Sequence, residues 1–187
     1  MKYMIMANGK GTRWNNYLGI TKQEAVINNE RLLDRTVRLI KTYTDDPVII
    51  LSSNINHTNE NATRLISNCN EHYHKLVAYD LIDEPVTYLY GDTYYEESTI
   101  KKIIEDECID VNFYGNEHAI IAFKVNNIEL FKSVIDNCND DTKNIYHAFD
   151  NFNCDRKFIS VGKGFFNINT PSDYLNLVEK ERKRIRG

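Results

Sequence analysis

Apolar residues fall into short continuous blocks along the chain, separated by stretches in which they recur every three or four positions. The blocks at residues 4–7, 47–51 and 85–90 are apolar on successive positions, as expected of strands covered on both faces. Residues 32–43 carry their apolar side chains at helical spacing, so the chain opens on a β-α-β unit. The same pattern predicts a helix over 58–69 and a short strand over 76–78. After the 85–90 strand it predicts a helix over 96–105, strands over 109–114 and 118–125, a helix over 128–137 and a strand over 157–161. Thr170-Pro171, a capping residue followed by proline at the first helical position, announces a final helix with Asp173 in its first turn. Strands alternating with helices through right-handed crossovers imply a three-layer, doubly wound α/β fold with a mainly parallel sheet. No linker, repeat or low-complexity stretch breaks the pattern, and a single domain over residues 1–187 is expected.

Composition narrows the range of partners. With 187 residues, 42% of them apolar and 27% charged, the chain can bury one substantial core. A net charge of −4 and a pI near 5.7 argue against a nucleic-acid partner, so any phosphate binding must be local. Cys69, Cys108, Cys138 and Cys154 form no C-x-x-C pair and no zinc-type cluster with histidine, and they are expected to be reduced thiols. No apolar run reaches the roughly 18 residues of a membrane span, and the N-terminus lacks the pattern of a signal peptide. A cytoplasmic protein without a membrane partner is therefore expected.

The most distinctive chemistry follows the first strand, where Ala7-Asn8-Gly9-Lys10-Gly11-Thr12-Arg13 leads, nine residues later, to Lys22. Glycines let the backbone N–H groups between Asn8 and Thr12 curl around an anion. Arg13 would add a bidentate fork and Lys22 a mobile point charge. Neither commoner glycine-rich pattern fits. The P-loop fails because Gly11 follows Lys10 and Met4 stands five places before Gly9, and the dinucleotide fingerprint fails because Trp14 occupies its third glycine position. A second candidate is Gly91-Asp92, directly after the 85–90 strand, at the kind of sheet edge where α/β proteins bind ligands. An aspartate there can ligate Mg²⁺ or simply cap the helix beginning near residue 96.

Gly9-Lys10-Gly11-Thr12-Arg13 with Lys22 resembles the signature of the sugar-phosphate nucleotidyltransferases and the related small cytidylyl- and guanylyltransferases, G-x-G-T-R followed about ten residues later by P-K. Thr21 stands where that family usually has proline. Residues 26–35 resemble the family's strand, turn and helix start, and Asn167-Ile168-Asn169-Thr170-Pro171 resembles its closing motif, with Asn169 at a position often held by aspartate. The resemblance implies a GT-A-like, Rossmann-like nucleotidyltransferase fold and a role of the sugar-nucleotide biosynthesis type. It implies that Ala7, Asn8, Gly9, Gly11, Thr12 and Arg13 hold an NTP, that Lys22 acts with Arg13 on the reacting phosphates, and that Asp92 and Asn169 hold Mg²⁺. CTP or UTP is the favoured donor, while the residues leave the base open. The small span between residues 51 and 85 suits a compact phosphorylated acceptor, and His147 lies where the family often places acceptor contacts.

The expected reaction is attack of an acceptor phosphate oxygen on the α-phosphate of the NTP with loss of pyrophosphate, which needs positioning and charge stabilisation more than a nucleophilic side chain. Two other readings stand beside it: a regulatory nucleotide-binding domain without turnover, and a glycosyltransferase, which would normally show a D-x-D motif where this chain has Gly91-Asp92-Thr93. His72-Tyr73-His74 would place both imidazoles on one face of a strand, but no third metal ligand is evident and a solvated loop is the expected reading. The basic run 180–184 is expected to complement the dipole at the end of the last helix.

Overall fold

The computed structural model describes residues 1–9, 11–139, 142 and 144–186. Its strands are β1 (Lys2–Met6), β2 (Val26–Ile27), β3 (Glu30–Arg31), β4 (Val48–Leu51), β5 (Thr63–Leu65), β6 (Val86–Tyr90), β7 (Thr93–Tyr95), β8 (Val111–Asn116), β9 (Ala119–Val125), β10 (Arg156–Ser160) and β11 (Phe165–Asn167). The helices are α1 (Leu32–Tyr43), α2 (His72–Leu76), α3 (Glu97–Glu105), α4 (Ile128–Asp136) and α5 (Pro171–Arg186). Seven strands form one sheet in the order β10-β8-β9-β6-β1-β4-β5. Every neighbouring pair is parallel except those made by β9, which runs antiparallel to both β6 and β8.

Alternation along β1 shows how the sheet acquires two covered faces. Met4 and Met6 point into a core shared with Tyr88, Phe123, Tyr73 of α2 and Phe131 of α4. Tyr3, Ile5 and Ala7 point into the opposite core, against Leu33 and Val37 of α1 and Ile100 and Ile103 of α3. The three-layer, doubly wound expectation is met. A third, smaller cluster joins Trp14, Ala25, Ile27 and Leu32 to Tyr94, Ile168 and Leu177 of α5, and it anchors the segment between the glycine loop and Lys22. Among the described residues no helix is long and apolar enough to cross a membrane.

Three expectations fail, all in one polar stretch: the helix over 58–69, the strand over 76–78, and the solvated loop at His72-Tyr73-His74, which is helix α2 with Tyr73 buried. Residues 58–69 are not a helix: a bridge between Asn59 and Ala62 leads into β5, which pairs with β4 at the sheet edge. Asn54 Oδ1 accepts the N–H of Asn56, and Asn59 Oδ1 accepts the N–H of Asn61, both at 2.9 Å. These local turns compete with helical bonding. Residues 76–78 are not a strand: Leu76 ends α2, Val77 caps it, and Ala78 takes φ 49°. Tyr73 on that helix and its cap Val77, four residues apart, are both buried. His72 and His74 therefore share no strand face, and His74 is held between Glu71 and Asp136 at 2.9 and 3.0 Å.

The β8–β9 hairpin shifts register at Tyr114/Gly115, and a Cβ on Gly115 would lie 2.0 Å from the carbonyl oxygen of Ala119. Backbone cannot yield as a side-chain tip does. Gly115→Ala is expected to lower the urea midpoint by a stability loss of about 1–3 kcal/mol, the usual cost of overpacking.

Candidate active site

The site forms around the carboxyl end of β1. Ala7, inside the core, donates its N–H to Leu51 O at 3.0 Å, and Asn8 Oδ1 accepts the N–H of Ser53 at 2.8 Å, so the start of the glycine loop is tied to the end of β4. On the other side Gly91 donates its N–H to Met6 O at 3.0 Å. A Cβ at Gly91 would come within 2.9 Å of that oxygen and 3.3 Å of Ala7 Cβ. Only glycine lets β6 leave the sheet this close to β1, and the next residue is Asp92. Lys10 of the glycine motif lies outside the described residues. Gly11 takes φ 58°, and Thr12 and Arg13 are exposed. Trp14 is buried, donates its indole N–H to Ile20 O at 2.8 Å, and meets Tyr17 and Tyr174 edge-on at 5.4 and 5.9 Å. The third-glycine position of the rejected dinucleotide pattern is thus an anchor that folds residues 11–20 back onto α5.

Four of the candidates meet in two ion-dipole or ion pairs. The Lys22 ammonium bonds to the Asp92 carboxylate, and Arg13 Nη2 donates to Asn169 Oδ1 at 3.0 Å. The pairs are adjacent because Ile168 N–H bonds Asp92 O at 2.9 Å, continuing the short antiparallel ladder of β7 with β11. Asn169 is fixed by its own helix: Asp173 Oδ2 accepts the N–H groups of Asn169 and Thr170 at 3.0 and 2.8 Å, while Thr170 Oγ1 accepts that of Asp173 at 3.2 Å. Asp173 is therefore a cap on α5.

A cleft of about 740 Å³ opens beside these pairs, lined by Asn8, Gly9, Gln23, Ser53, Asp92 and Tyr90, with Asn70, His72 and Lys75 on its far wall. The last two face it together because they are one helical turn apart on α2, a signal that was available once the segment was read as helix. A second cleft of about 510 Å³ lies under the β8–β9 turn and is lined by Asn116, His118, Asn144, His147 and Phe158. Tyr90 borders both. Burial, with the charge of Asp92 and the Tyr73 phenol adding to it, pushes the Tyr90 hydroxyl up to about 12, so the wall between the clefts is uncharged. His147 sits on a single 3-10 turn, His147–Phe149, with Nδ1 3.0 Å from Asp150 Oδ2.

The oxygen donors nearest to one another among the expected ligands are the Asp92 carboxylate and the Asn169 amide, which here accept from Lys22 and Arg13. Among the described residues no group of three or more His, Cys, Asp or Glu is placed to hold a metal. Such a donor set fits Mg²⁺ of the kind that takes one carboxylate and completes its shell with substrate phosphates and water.

Behind Lys22 lies a network that the sequence reading missed. Thr21 N–H and Oγ1–H both bond Glu24 Oε2, at 3.0 and 2.8 Å. His57, 1% exposed, places Nε2 at 2.8 Å from Thr21 Oγ1 and Nδ1 at 2.7 Å from Ser52 Oγ. Burial pushes the Glu24 carboxyl up, but the two bonds from Thr21, with His57 and Arg31 nearby, bring it below its ordinary value. Thr21 has φ −77°, within the range a proline ring would impose.

The sheet order defines an α/β fold that the chain shares with solved nucleotidyltransferases. A nucleotidyl transferase from Methanothermobacter superposes with a TM-score of 0.72 at 14% identity, over 98% of each chain. CTP:phosphocholine cytidylyltransferase from Streptococcus pneumoniae gives 0.67 at 15% identity, over 96% of this chain and 98% of that one. The Rv0371c protein of Mycobacterium tuberculosis, in complex with manganese, gives 0.68 at 14% identity, over 95% and 97%. No family model matches the chain, and no curated protein matches it by sequence.

Burial lowers the pKa of His57 below 6.5; Glu24 opposes the shift, and Arg31 and Arg64 support it. The unfolded chain then binds the proton more readily, so stability is full above the ordinary histidine value and falls as pH drops below it. The melting temperature is expected to decline on acidification from pH 7 towards pH 5, with a shallower decline in His57→Gln, followed by calorimetry.

Proposed function

We propose that the chain transfers a nucleoside monophosphate from an NTP to a small phosphorylated acceptor, a sugar phosphate or phospho-alcohol, with Mg²⁺ and release of pyrophosphate. The observation that carries this reading is Asp92, which lines the larger cleft bonded to Lys22, with the Arg13–Asn169 pair joined to it through the Ile168 N–H to Asp92 O bond. The nucleotidyl- and cytidylyltransferase activities of the structural neighbours support it, and the cytidylyltransferase among them favours a pyrimidine triphosphate.

In this scheme the glycine loop from Asn8 to Arg13 cradles the triphosphate, with backbone N–H groups and the Arg13 fork facing its oxygens. Lys22 leaves Asp92 for the α-phosphate, where negative charge concentrates as the new bond forms. An oxygen of the acceptor phosphate attacks phosphorus, the bond to the bridging oxygen breaks, and pyrophosphate departs with the electron pair. The attacking group is already ionised at pH 7, so no side chain need remove a proton. Asp92 and Asn169 would hold Mg²⁺, which supplies further charge neutralisation on the phosphates when bound. The acceptor's remaining atoms enter the smaller cleft beside His147, across Tyr90 from the nucleotide.

Pyrophosphate release and thermal shift with each of the four NTPs test the scheme, since a ligand selective for the folded state raises its melting temperature by mass action. One NTP is expected to give an Mg²⁺-dependent shift, and no shift with any of them would remove the proposal. Lys22→Ala is expected to lower kcat by about 10²–10³ while changing the KM for NTP only a few-fold. His147→Ala is expected to raise the acceptor KM by roughly 3- to 10-fold, the worth of one hydrogen bond, with the KM for NTP unchanged.

A further inference from the structure

Proton accounting in the network starts from Glu24, and Asn54 Nδ2, 3.3 Å from His57 Nε2, is a further donor facing the imidazole. Glu24, an ionised carboxylate, accepts only, so Thr21 Oγ1 must give it its proton and keep a lone pair for His57 Nε2–H. The imidazole is then the Nε2–H tautomer, and its bare Nδ1 takes the hydroxyl proton of Ser52. Ser52 Oγ in turn accepts the N–H of Asn54 at 3.1 Å. The chain of bonds Ser52 → His57 → Thr21 → Glu24 runs from two buried side chains to two part-buried ones.

Its ends matter because of their neighbours in sequence. Thr21 precedes Lys22, and its bonds to Glu24 close the turn Lys22–Glu24 as a capping box. Ser52 precedes Ser53, whose N–H holds Asn8 at the head of the glycine loop. The imidazole therefore ties the lysine turn to the loop that starts the cleft, with the Asn54 amide, 3.5 Å from Glu24 Oε2, as a longer second contact between the two segments. We propose that His57 is a positioning residue: through Thr21 it fixes Lys22 relative to the glycine loop, and so sets where the ammonium lies when the cleft is filled. Misplacement of a catalytic group by an ångström costs up to about 100-fold in rate, which is the scale on which a lost strut should be read.

The kinetic arm rests on the nucleotidyl-transfer reading; a second arm does not. Thr21→Val removes the hydroxyl while preserving size and the N–H bond to Glu24. It is expected to lower kcat by about 10- to 100-fold, with the KM for NTP within about threefold, and to lower the melting temperature, because the buried imidazole and the Glu24 carboxylate each lose a partner. Thr21→Ser, which restores the hydroxyl, is expected to recover kcat. The double variant Thr21→Val with His57→Gln should be no slower than the worse single one, because both cut the same strut. Independently of turnover, 13Cε-lysine NMR follows Lys22 directly, its signal assigned by loss in Lys22→Arg. The signal is expected to shift or broaden in Thr21→Val and in His57→Gln and to return in Thr21→Ser. An unchanged Lys22 signal in Thr21→Val overturns the proposal whatever the kinetics. Absence of pyrophosphate release by the unmodified protein with any NTP would instead remove the function proposed above, leaving the NMR result to decide the role of His57.

Discussion

Everything at the ligand edge depends on how closely β6 approaches β1. A strand flanked on both sides by parallel neighbours has its carboxyl end hemmed by theirs, and here the missing side chain of Gly91 lets the chain turn away against Met6 O and Ala7. That contact sets Asp92 level with the beginning of the glycine loop. It also aligns β7, so that β11 and the cap of α5 deliver Asn169 to the same spot. Three segments far apart in the chain are brought together by one backbone contact that tolerates no added atom.

The electrostatics follow from the same convergence. Lys22 is nearly buried and would be costly to hide alone, but Asp92 beside it compensates the charge. Arg13, by contrast, is exposed and held to an amide, so its charge is spare. The two cations thus differ in what an arriving anion must displace. An anion at Arg13 meets a neutral partner, whereas one at Lys22 must compete with a carboxylate.

Legibility in the sequence varied with the physics of each segment. The strands at the centre of the sheet were readable because burial on both faces leaves no polar position to interrupt the run, and α1 because its apolar stripe is unbroken. The stretch from 52 to 75 was not, since its asparagines, serines and histidines are satisfied by partners that local spacing does not reveal. His57 is the clearest example: in sequence it is a lone histidine in a polar loop, and only the fold shows it packed between Ser52 and Thr21. Thr21 itself looked like a departure from a proline; the fold shows a backbone already in proline's range and a hydroxyl with work that a ring could not do. The glycine, lysine, aspartate and asparagine positions could be nominated one at a time, but which meets which is a property of strand order, which the local pattern does not give.

The antiparallel run of β9 has a consequence for how such a molecule can diversify. In a purely parallel sheet every strand end at the ligand edge feeds a crossover helix that must also pack a face. Because β9 runs backwards, residues Glu117 and His118 form a free hairpin tip at that edge, with no helix to carry. Lengthening a surface loop costs little in closure entropy. New residues could therefore be added over the smaller cleft while β1, β4 and the larger cleft stay as they are, so the two halves of the edge are free to change at different rates.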